Sequence, residues 1–382
     1  MPEFLRFDPT ACQFPAPALP LLPALRRLTL AAPGSDPLAG PGVRFFARGR
    51  YALHAAYRLA GLAADGVLLA PSYHCRTMLD PALALGAAVH CYPLQPDLQP
   101  DLEALGRLLA SDLPVRVLLL PHYFGCEQPP ALLAQVQALC ARHGVTLVED
   151  ACHAWPLALR RGPLCGAGHL LVASPYKFLP CEEGGVLWGA PAALAGVVLR
   201  PPGLWQEVRG WKRAWERSRR AAVQPATAAL PEAPGERGCE WREVDERPSP
   251  MYQAADEGRQ GLRQSRWLLR RTAAAPLAAQ RRRHYQRWLQ AVAPLAAARP
   301  LFPQLGADDV PYMFPLLLER HDPAFYRLKQ AGVPIWRWDD MALSACPTAA
   351  DYRLRLLHLP CHQGLSAAQM DWLVDTVCRG LA

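Results

Sequence analysis

The sequence contains no apolar stretch long enough to cross a membrane. Its longest candidate, residues 186–199, has about 14 residues and includes glycine and proline, whereas a spanning helix needs roughly 20. The N-terminus also lacks the basic start, the apolar run and the small-residue cleavage site of a secretory signal. We therefore predict a soluble protein that works in the cytoplasm.

Metal-binding and disulfide patterns are absent as well. The 12 cysteines are scattered through 382 residues, without a CxxC pair and without histidines at zinc-ligand spacing. The chain also does not have the dense cysteine pattern of a small secreted domain. The sequence predicts reduced, mostly buried thiols and no metal site.

Lysine is scarce, which makes each lysine informative. Among 41 basic residues only Lys177, Lys212 and Lys329 are lysines, and the others are arginines. Arginine cannot replace lysine as an amine nucleophile, because its guanidinium stays protonated near neutral pH. A lysine in this chain is therefore either accidental or chemically required.

The formal net charge of +8 is modest. Much of the excess lies between Arg200 and Arg287, where runs of arginine are interleaved with acids such as Glu207 and Glu216. This mixture favours a solvated helical face, or a pocket for an anionic substrate, over a nucleic-acid interface. We predict neither a nucleic-acid partner nor a membrane partner.

From residue 50 to residue 149, short apolar runs alternate with stretches of helical periodicity. This alternation is typical of a mostly parallel sheet covered by helices on both faces, with ligands at the carboxyl ends of the strands. The predicted strands are 66–71, 88–92, 115–120 and 146–149, and the predicted helices are 51–62, 77–85, 101–109 and 130–143.

The other parts of the chain are less regular. Residues 1–40 are rich in proline and predict an irregular lead-in with a short helix, which precedes a large domain at 41–200. Residues 201–278 predict a linker or insertion with a helix at 205–220, placed at a dimer interface or a substrate site. A smaller α/β domain is predicted at 279–382. Its predicted elements are a helix at 279–292, a strand at 312–318 and helices at 324–331 and 366–379.

Two residues near strand ends carry the strongest chemical signal. Asp150 follows a buried strand, and a carboxylate there can keep a pyridine nitrogen protonated, which makes the ring an electron sink. Lys177 comes 27 residues later in a tight loop suited to a Schiff base, and burial is expected to lower its pKa toward the free amine. Nearby, Ser174 is placed to donate to a phosphate, and the Gly184-Gly185 pair lets the backbone turn beside a cofactor.

A third signal precedes these two. Arg48-Gly49-Arg50-Tyr51 opens a predicted helix, and a glycine before a helix N-terminus presents free backbone N–H groups to an anion. Each signal alone has a simpler interpretation, such as a helix cap for Asp150 or a surface charge for Lys177. Their order and spacing together favour a site for pyridoxal phosphate (PLP).

These pieces resemble the DegT/StrS family of PLP-dependent sugar aminotransferases, over about 43–189 and more faintly from 281 onward. The resemblance implies the PLP-dependent transferase fold type I, an α/β fold with a mostly parallel central sheet in a large domain and a smaller C-terminal α/β domain. It also implies that Lys177 holds the cofactor and that Asp150 contacts its ring nitrogen, as the two catalytic residues. The other implied cofactor-binding residues are Gly49, Arg50, Tyr51, Tyr73, His74, His122, His153 and Ser174.

The chain departs from the family's pattern at several positions. Cys75 stands where an aromatic ring is usual, so Tyr73 or His74 is expected to stack on the cofactor. The family's Gly-Tyr-Asn-Tyr-Arg segment, which reaches into the partner subunit's site, is not recognisable, and residues 264–266 are its candidate replacement. The candidate substrate residues, some of them in a loop that also differs from the family, are Glu183, Trp336, Arg337 and Trp338.

The resemblance implies a homodimeric aminotransferase with an amino acid as donor, glutamate being expected, and a keto group on a nucleotide-linked sugar as acceptor. The arginine-rich segment would then meet a diphosphate. Two alternatives stay open. One is a lyase, dehydratase or other PLP reaction on a biosynthetic intermediate that is not a sugar, which the departures at Cys75 and Trp336 favour. The other is a non-catalytic binding or regulatory protein of the same fold.

Overall fold

The structure is a computed structural model that describes residues 2–25, 36–221, 223–226, 230 and 239–382. Within these residues, the strands form one sheet of seven and two sheets of three. The strands are β1 (Glu3–Phe7), β2 (Val43–Phe46), β3 (Val67–Pro71), β4 (Ala88–Tyr92), β5 (Val115–Pro121), β6 (Thr146–Asp150), β7 (His169–Ala173), β8 (Gly185–Trp188), β9 (Glu240–Val244), β10 (Ala298–Pro300), β11 (Met313–Leu318), β12 (Met341–Ala342) and β13 (Leu356–Pro360).

The helices begin and end where the local sequence favours it. They are α1 (Gly49–Leu59), α2 (Arg76–Ala84), α3 (Leu102–Leu109), α4 (Pro130–His143), α5 (Trp155–Arg161), α6 (Pro191–Leu194), α7 (Leu204–Arg220), α8 (Arg263–Arg271), α9 (Ala274–Val292), α10 (Ala324–Gln330), α11 (Pro347–Arg355) and α12 (Ala367–Leu381). Asp101 caps α3 by accepting from the backbone N–H of Ala104 at 3.0 Å. Ser366 and Gln369 form a capping box at the start of α12, and Gly144 ends α4 with a φ of 66°.

The seven-stranded sheet has the order β2-β8-β7-β6-β5-β3-β4. Strands β3 to β7 are parallel to their neighbours within this group, whereas β8 is antiparallel to β7 and β2 is antiparallel to β8. The central strands are nearly continuous apolar runs, because both of their faces are buried. The predicted mostly parallel sheet is confirmed, and β6 and β7 lie side by side near its middle.

The C-terminal part contains the second core. Strands β10, β11 and β13 form an antiparallel sheet, and α12 packs against α9 and α10. In this core Trp288 of α9 stacks on Phe314 of β11, with ring centroids 5.8 Å apart. This arrangement agrees with the smaller α/β unit predicted for this region, while the predicted boundaries between domains stay a prediction.

The third sheet joins parts of the chain that are far apart in sequence. Strand β1 pairs with β9 on one side and with β12 on the other, all antiparallel. The prediction of an irregular lead-in is therefore wrong for Glu3–Phe7. The strand is too short to show a local pattern, and it is stabilised by partners that only the tertiary fold brings to it.

Several boundaries agree closely with the predicted elements, and β4 and α4 coincide with them. Helix α9 begins at Ala274 rather than at 279, and α8 and α11 were not predicted. Parts of the predicted lead-in and insertion, at 26–35, 222, 227–229 and 231–238, lie outside the described residues. Among the helices that the structure describes, none is both long and apolar enough to cross a bilayer.

Candidate active site

The N-terminus of α1 lies beside Ser174. Arg48 is the N-cap residue and its side chain makes no capping hydrogen bond, so the first N–H groups of α1 are left for another partner. A Cβ atom on Gly49 would lie 2.2 Å from Ser174 Oγ, and only glycine allows this close approach. Backbone N–H groups and a hydroxyl thus meet at one point, an arrangement that binds phosphate.

Lys177 lies in a single 3-10 turn, Pro175–Lys177, directly after β7. Its Nζ atom is 5.5 Å from the centroid of the Tyr312 ring. Behind this turn Gly184 has a φ of 148°, and a Cβ atom on it would lie 2.9 Å from Pro175 Cγ. On the next residue, Gly185, a Cβ atom would lie 2.2 Å from the carbonyl oxygen of Arg48. The glycine pair therefore holds the lysine turn close to the start of α1.

Asp150 ends β6, and its side chain is buried. Its Oδ1 atom accepts a hydrogen bond from the backbone N–H of Cys152 at 2.8 Å. The thiol sulfur of Cys152 in turn accepts from Ser174 Oγ at 3.1 Å. A continuous set of contacts thus links the carboxylate at the end of β6 to the anion site at the start of α1.

One cleft is lined by Lys177, Asp150 and Ser174, together with Gly49 and Arg50 at the start of α1. The cleft offers an amine for an aldehyde, a carboxylate for a ring nitrogen and N–H and O–H donors for a phosphate. These groups fit PLP, and a side chain at Gly49 would fill the place where the phosphate donors converge. The structure therefore brings together the predicted catalytic pair and three of the predicted cofactor-binding residues.

The pKa of Lys177 is raised above its ordinary value, contrary to the prediction. Burial lowers this pKa, as expected, but Tyr176, Cys152 and the Asp150 carboxylate together raise it by more. The expectation that burial would bring Lys177 toward the free amine is wrong for this arrangement. The side chain is an ammonium at neutral pH and lines the same cleft as the Asp150 carboxylate.

Tyr73 and His74 do not line the cleft, whereas Cys75 does. The Tyr73 ring lies against Trp338, with centroids 4.9 Å apart, and His74 Nε2 accepts from the backbone N–H of Ala342 at 3.1 Å. The expectation that Tyr73 or His74 stacks on the cofactor is therefore contradicted. After β3 the chain directs both rings toward the C-terminal part and leaves the Cys75 thiol at the cleft.

His122 is also directed away from the cleft. Its Nε2 atom is 2.7 Å from Glu149 Oε2, and its Nδ1 atom accepts from the backbone N–H of Gln128 at 3.1 Å. Both ring nitrogens are engaged, so the prediction that His122 binds the cofactor is contradicted. The physical reason is the alternation of side chains along β6, which places Glu149 and Asp150 on opposite faces of the sheet.

The side chains of Arg50 and Tyr51 make contacts away from the anion site. The Arg50 guanidinium donates to the carbonyl oxygen of Met251, and the Tyr51 hydroxyl accepts from the backbone N–H of Gln253 at 3.2 Å. Both side chains are thus bonded to the segment around 251–253. The backbone N–H of Tyr51 donates to the carbonyl oxygen of Arg48 at 3.1 Å, so of these two residues only Arg50 has a backbone N–H left for the predicted phosphate contact.

His153 and Lys177 both lie beside the Tyr312 ring. Its imidazole packs on Tyr312 with centroids 4.4 Å apart, and its Nδ1 atom accepts from the backbone N–H of Phe124 at 3.4 Å. The pKa of His153 is held well below its ordinary value by burial, and by the charge of Lys177. The neutral imidazole is near the cleft but does not line it, and a direct contact with the cofactor stays a prediction.

Two of the predicted substrate residues are engaged in structural contacts. Glu183 forms a bidentate ion pair with Arg259, with N···O distances of 2.7 and 2.8 Å. The Arg337 guanidinium lies 3.6 Å from the centroid of the Phe325 ring in the C-terminal core. Arg337 therefore does not face the cleft, which contradicts its prediction, and Glu183 is already paired.

The two tryptophans of the same loop differ from each other. Trp338 is buried against Phe124 and Tyr73 and serves as packing, which contradicts its predicted substrate role. Trp336 is 38% exposed, and its ring centroid is 6.4 Å from that of Tyr312. Tyr312 itself is not predicted from the sequence, because nothing nearby in the chain marks a tyrosine just before β11 as the neighbour of Lys177.

Residues 264–266 open α8, and most of them face inward. Gln264 and Ser265 are buried, and Arg266 forms an ion pair with Asp36 at 2.7 Å. In the structure these side chains are used within the same chain. Their predicted role at a partner subunit's site gains no support from these contacts.

Solved structures share this fold over most of its length. An aminotransferase, TlmJ from Streptoalloteichus hindustanus, has a TM-score of 0.62 and 21% identity over 91% of this chain and 88% of that chain. The sugar aminotransferase CalS13 from Micromonospora echinospora has a TM-score of 0.59 and 19% identity over 95% and 100% of the two chains. NtdA from Bacillus subtilis, solved with bound cofactor PMP, has a TM-score of 0.55 and 14% identity over 89% and 73%. No curated protein sequence matches this chain.

The fold and the cleft define the class of protein: a PLP-dependent transferase of fold type I. In sequence, residues 46–217 match the model of the DegT/DnrJ/EryC1/StrS aminotransferase family, and this part of the chain is similar to that family. The chain is a PLP-dependent aminotransferase. The predicted resemblance, fold class, cofactor and general activity are thereby confirmed.

Proposed function

We propose that this aminotransferase moves an amino group from glutamate to a keto group on a nucleotide-linked sugar. The observation that carries the proposal is the cleft where Lys177, Asp150 and the start of α1 meet beside Ser174. PLP bound in this cleft supplies an electron-accepting ring, and the remaining chemistry depends on the side chains around it.

Three groups of the chain would hold the cofactor. The N–H groups at the start of α1 and the Ser174 hydroxyl bind the phosphate, since they converge where Gly49 leaves room. The Asp150 carboxylate, fixed by its hydrogen bond from Cys152, keeps a proton on the ring nitrogen. Each of these groups is buried or backbone, so the site is preorganised.

Lys177 is the group that moves the proton. Once free of its own proton, its ε-amine would take a proton from the donor's carbon atom and later release it, acting as a general base and then as an acid. The raised pKa of Lys177 opposes the first step. When Asp150 pairs with a protonated ring nitrogen, its charge raises the pKa of Lys177 less strongly, which favours the free amine.

A second pocket supports an anionic acceptor. It has a volume of about 440 Å³ and is lined in part by Trp336. The Trp336 ring centroid is 6.4 Å from that of Tyr312, and the Tyr312 centroid is 5.5 Å from Lys177 Nζ. Its basic lining residues, all from α7, are Arg213, Arg217 and Arg220. Glu182 pairs with Arg217 at 2.5 Å, so Arg213 and Arg220 are the stronger candidates to meet a diphosphate.

We also propose that the enzyme is a homodimer. Helix α7 exposes Trp205, Trp211 and Trp215 by 79%, 45% and 57%. Such an apolar area on a surface helix is typical of an interface, and a second copy of the chain would cover it. Light scattering of the purified protein should give twice the chain mass, and a single-chain mass would refute this part. The cytoplasmic location stays a prediction.

The first experiment follows the cofactor through half of the reaction. Protein loaded with PLP is mixed with glutamate, and the absorbance should move from the aldehyde form to the pyridoxamine form. Lys177→Arg should take up the cofactor without the yellow lysine adduct. If that variant is still yellow, and borohydride fixes the same adduct on the same peptide, Lys177 is not the cofactor lysine. If no common amino acid converts the cofactor, transamination is refuted in favour of another PLP reaction.

The second experiment identifies the acceptor. Enzyme in the pyridoxamine form is mixed with keto sugars linked to a nucleoside diphosphate, with free keto sugars and with keto acids. Apart from 2-oxoglutarate, which reverses the half-reaction with glutamate, return of the aldehyde absorbance only with the nucleotide-linked compounds supports the proposal. Return only with other acceptors that are not sugars would refute the sugar acceptor and leave transamination intact, since the half-reaction with glutamate is measured independently.

A further inference from the structure

Arg281 of α9 is fully buried and contacts the lysine turn. Its Nη2 atom lies 3.3 Å from the carbonyl oxygen of Lys177 and 3.4 Å from that of Phe178. Its Nη1 atom donates to the carbonyl oxygens of Pro311 and Tyr312, at 3.0 and 3.2 Å. One guanidinium thus connects the turn that carries Lys177 with the segment that carries its ring neighbour Tyr312.

The remaining contacts of Arg281 are also with neutral groups. Nε donates to the side-chain oxygen of Gln363 at 2.8 Å, and the guanidinium carbon lies 4.4 Å from the centroid of the Phe178 ring. The amide of Gln363 donates in turn to the Phe178 carbonyl oxygen at 2.7 Å. Within the described part of the chain, no carboxylate lies within ion-pair distance of Arg281.

A buried cation without a counter-charge is costly unless its donors are satisfied. Burial lowers the pKa of Arg281 to about 10, which still leaves the guanidinium charged at neutral pH. Neutral carbonyl oxygens from three separate segments satisfy its donors here. The fixed fork of the guanidinium suits this set better than an ammonium would.

We propose that Arg281 is a positioning residue for Lys177: it fixes the backbone of the lysine turn against Tyr312 and so sets the direction of the reactive amine. The inference rests on the proposed role of Lys177 in the reaction. Because Arg281 belongs to α9, the position of this amine also depends on how the C-terminal core packs against the large sheet. Arg281 does not itself touch the cleft.

The chain's few lysines make a direct test possible. Cofactor-free protein is treated with trace acetic anhydride from pH 7 to 11, and the acetylation rate of each lysine is read by peptide mass spectrometry. Lys212, which is exposed, and Lys329, which lies in the C-terminal core, serve as internal references. The variants are Arg281→Met and Arg281→Lys. The control is Arg282→Met, which loses hydrogen bonds to Gly306 and Asp309 but none to the lysine turn.

In Arg281→Met, we expect Lys177 to be acetylated about fivefold faster or more, the factor equivalent to one net hydrogen bond. The acetylation rate of Lys329 should be unchanged. The acetylation rate of Lys177 in Arg281→Lys should lie between the rates in Arg281→Met and in the original protein, and the rate in Arg282→Met should match the original.

A merely structural role of Arg281 would raise the acetylation rate of Lys329 as well. That result, or an unchanged rate for Lys177 in both variants of Arg281, would overturn the inference. The test needs neither cofactor nor substrate, so it can fail or succeed independently of the transamination experiment.

Discussion

The carboxylates of Glu149 and Asp150 are adjacent on β6 and lie on opposite faces of the central sheet. The Glu149 carboxylate is fully buried, 2.7 Å from His122 Nε2 and 2.5 Å from His169 Nε2. Asp150 accepts from the backbone of Cys152 and lines the cleft with Lys177. The same Glu-Asp pair therefore supplies one acid to the stability of the fold and one to the cofactor site.

The first prediction compares Asp150→Asn with Glu149→Gln. Asp150→Asn should lower kcat by roughly 100-fold or more, the scale of a group that controls a proton in the reaction, with little change in Tm. Glu149→Gln should retain cofactor binding but lower the free energy of unfolding by about 1–3 kcal/mol, because buried hydrogen bonds to charged groups are lost. Steady-state kinetics and urea unfolding of both variants check this. A large loss of activity in Glu149→Gln at full occupancy would contradict the division of roles.

The second prediction concerns stability in acid. His74 is fully buried and accepts from Ala342, and burial lowers its pKa from 6.5 to about 4. The unfolded chain binds a proton below about pH 6.5, whereas the folded chain does so only near pH 4, so the free energy of unfolding falls as pH drops through this window. His74 alone accounts for up to about 3 kcal/mol.

Urea unfolding between pH 4.5 and 7 measures this effect. His74→Asn keeps an acceptor for Ala342, and its free energy of unfolding should fall less steeply on acidification than that of the original protein. His143→Asn, at an exposed histidine in α4, is the matched control and should keep the original slope. Equal slopes for His74→Asn and the original protein would show that His74 is not buried in its neutral form.

The sequence predicts well that Asp150 and Lys177 lie together, because they follow buried strands that are neighbours in the sheet. A side chain at the carboxyl end of such a strand reaches the crevice wherever the sheet is placed. His122 follows a similar strand, yet its ring is directed to Glu149 on the other face. A shift of one residue along a strand moves a side chain to the opposite face of the sheet. Beyond the end of a strand, the sequence alone does not show which face a side chain takes.

The neighbours that come from distant segments could not be predicted. Tyr312 and Arg281 meet Lys177 only through the packing of the C-terminal core, and Arg281 resembles the arginines beside it in sequence. Arg337 is a candidate substrate residue from the sequence, in a loop that differs from the family's pattern, but in the structure it packs on Phe325. In these cases tertiary contacts, rather than local pattern, decide where a side chain lies.

The third prediction tests the phosphate site with alanine at Gly49. The new Cβ atom would lie 2.2 Å from Ser174 Oγ, so Gly49→Ala should weaken PLP binding by about tenfold or more, equivalent to about 1.4 kcal/mol. The double variant with Ser174→Ala should recover part of this loss, because the clash is removed while the helix N-terminus remains. Absorbance titration with PLP measures both.

Gly106→Ala is the control for the same substitution elsewhere. Gly106 lies in α3, and a Cβ atom there would meet nothing within 4 Å. This variant should bind PLP normally and gain up to about 1 kcal/mol in free energy of unfolding, since alanine favours the helix. If Gly49→Ala binds PLP as tightly as Gly106→Ala does, the phosphate does not lie at the start of α1.

The fourth prediction uses the thiol at the cleft. Cys75 is partly buried, and its sulfur lies 3.1 Å from Thr77 Oγ1 at the wall that faces Lys177 and Asp150. PLP bound in the cleft should cover this thiol and slow its reaction with iodoacetamide by about tenfold, because alkylation needs an exposed sulfur. Cys378 of α12 is also partly buried but lies in the C-terminal core, so its rate should not change. A time course read by peptide mass spectrometry, with and without PLP, compares the two thiols in one sample. Protection of both thiols would indicate a general tightening of the protein, and protection of neither in fully loaded enzyme would place the cofactor elsewhere.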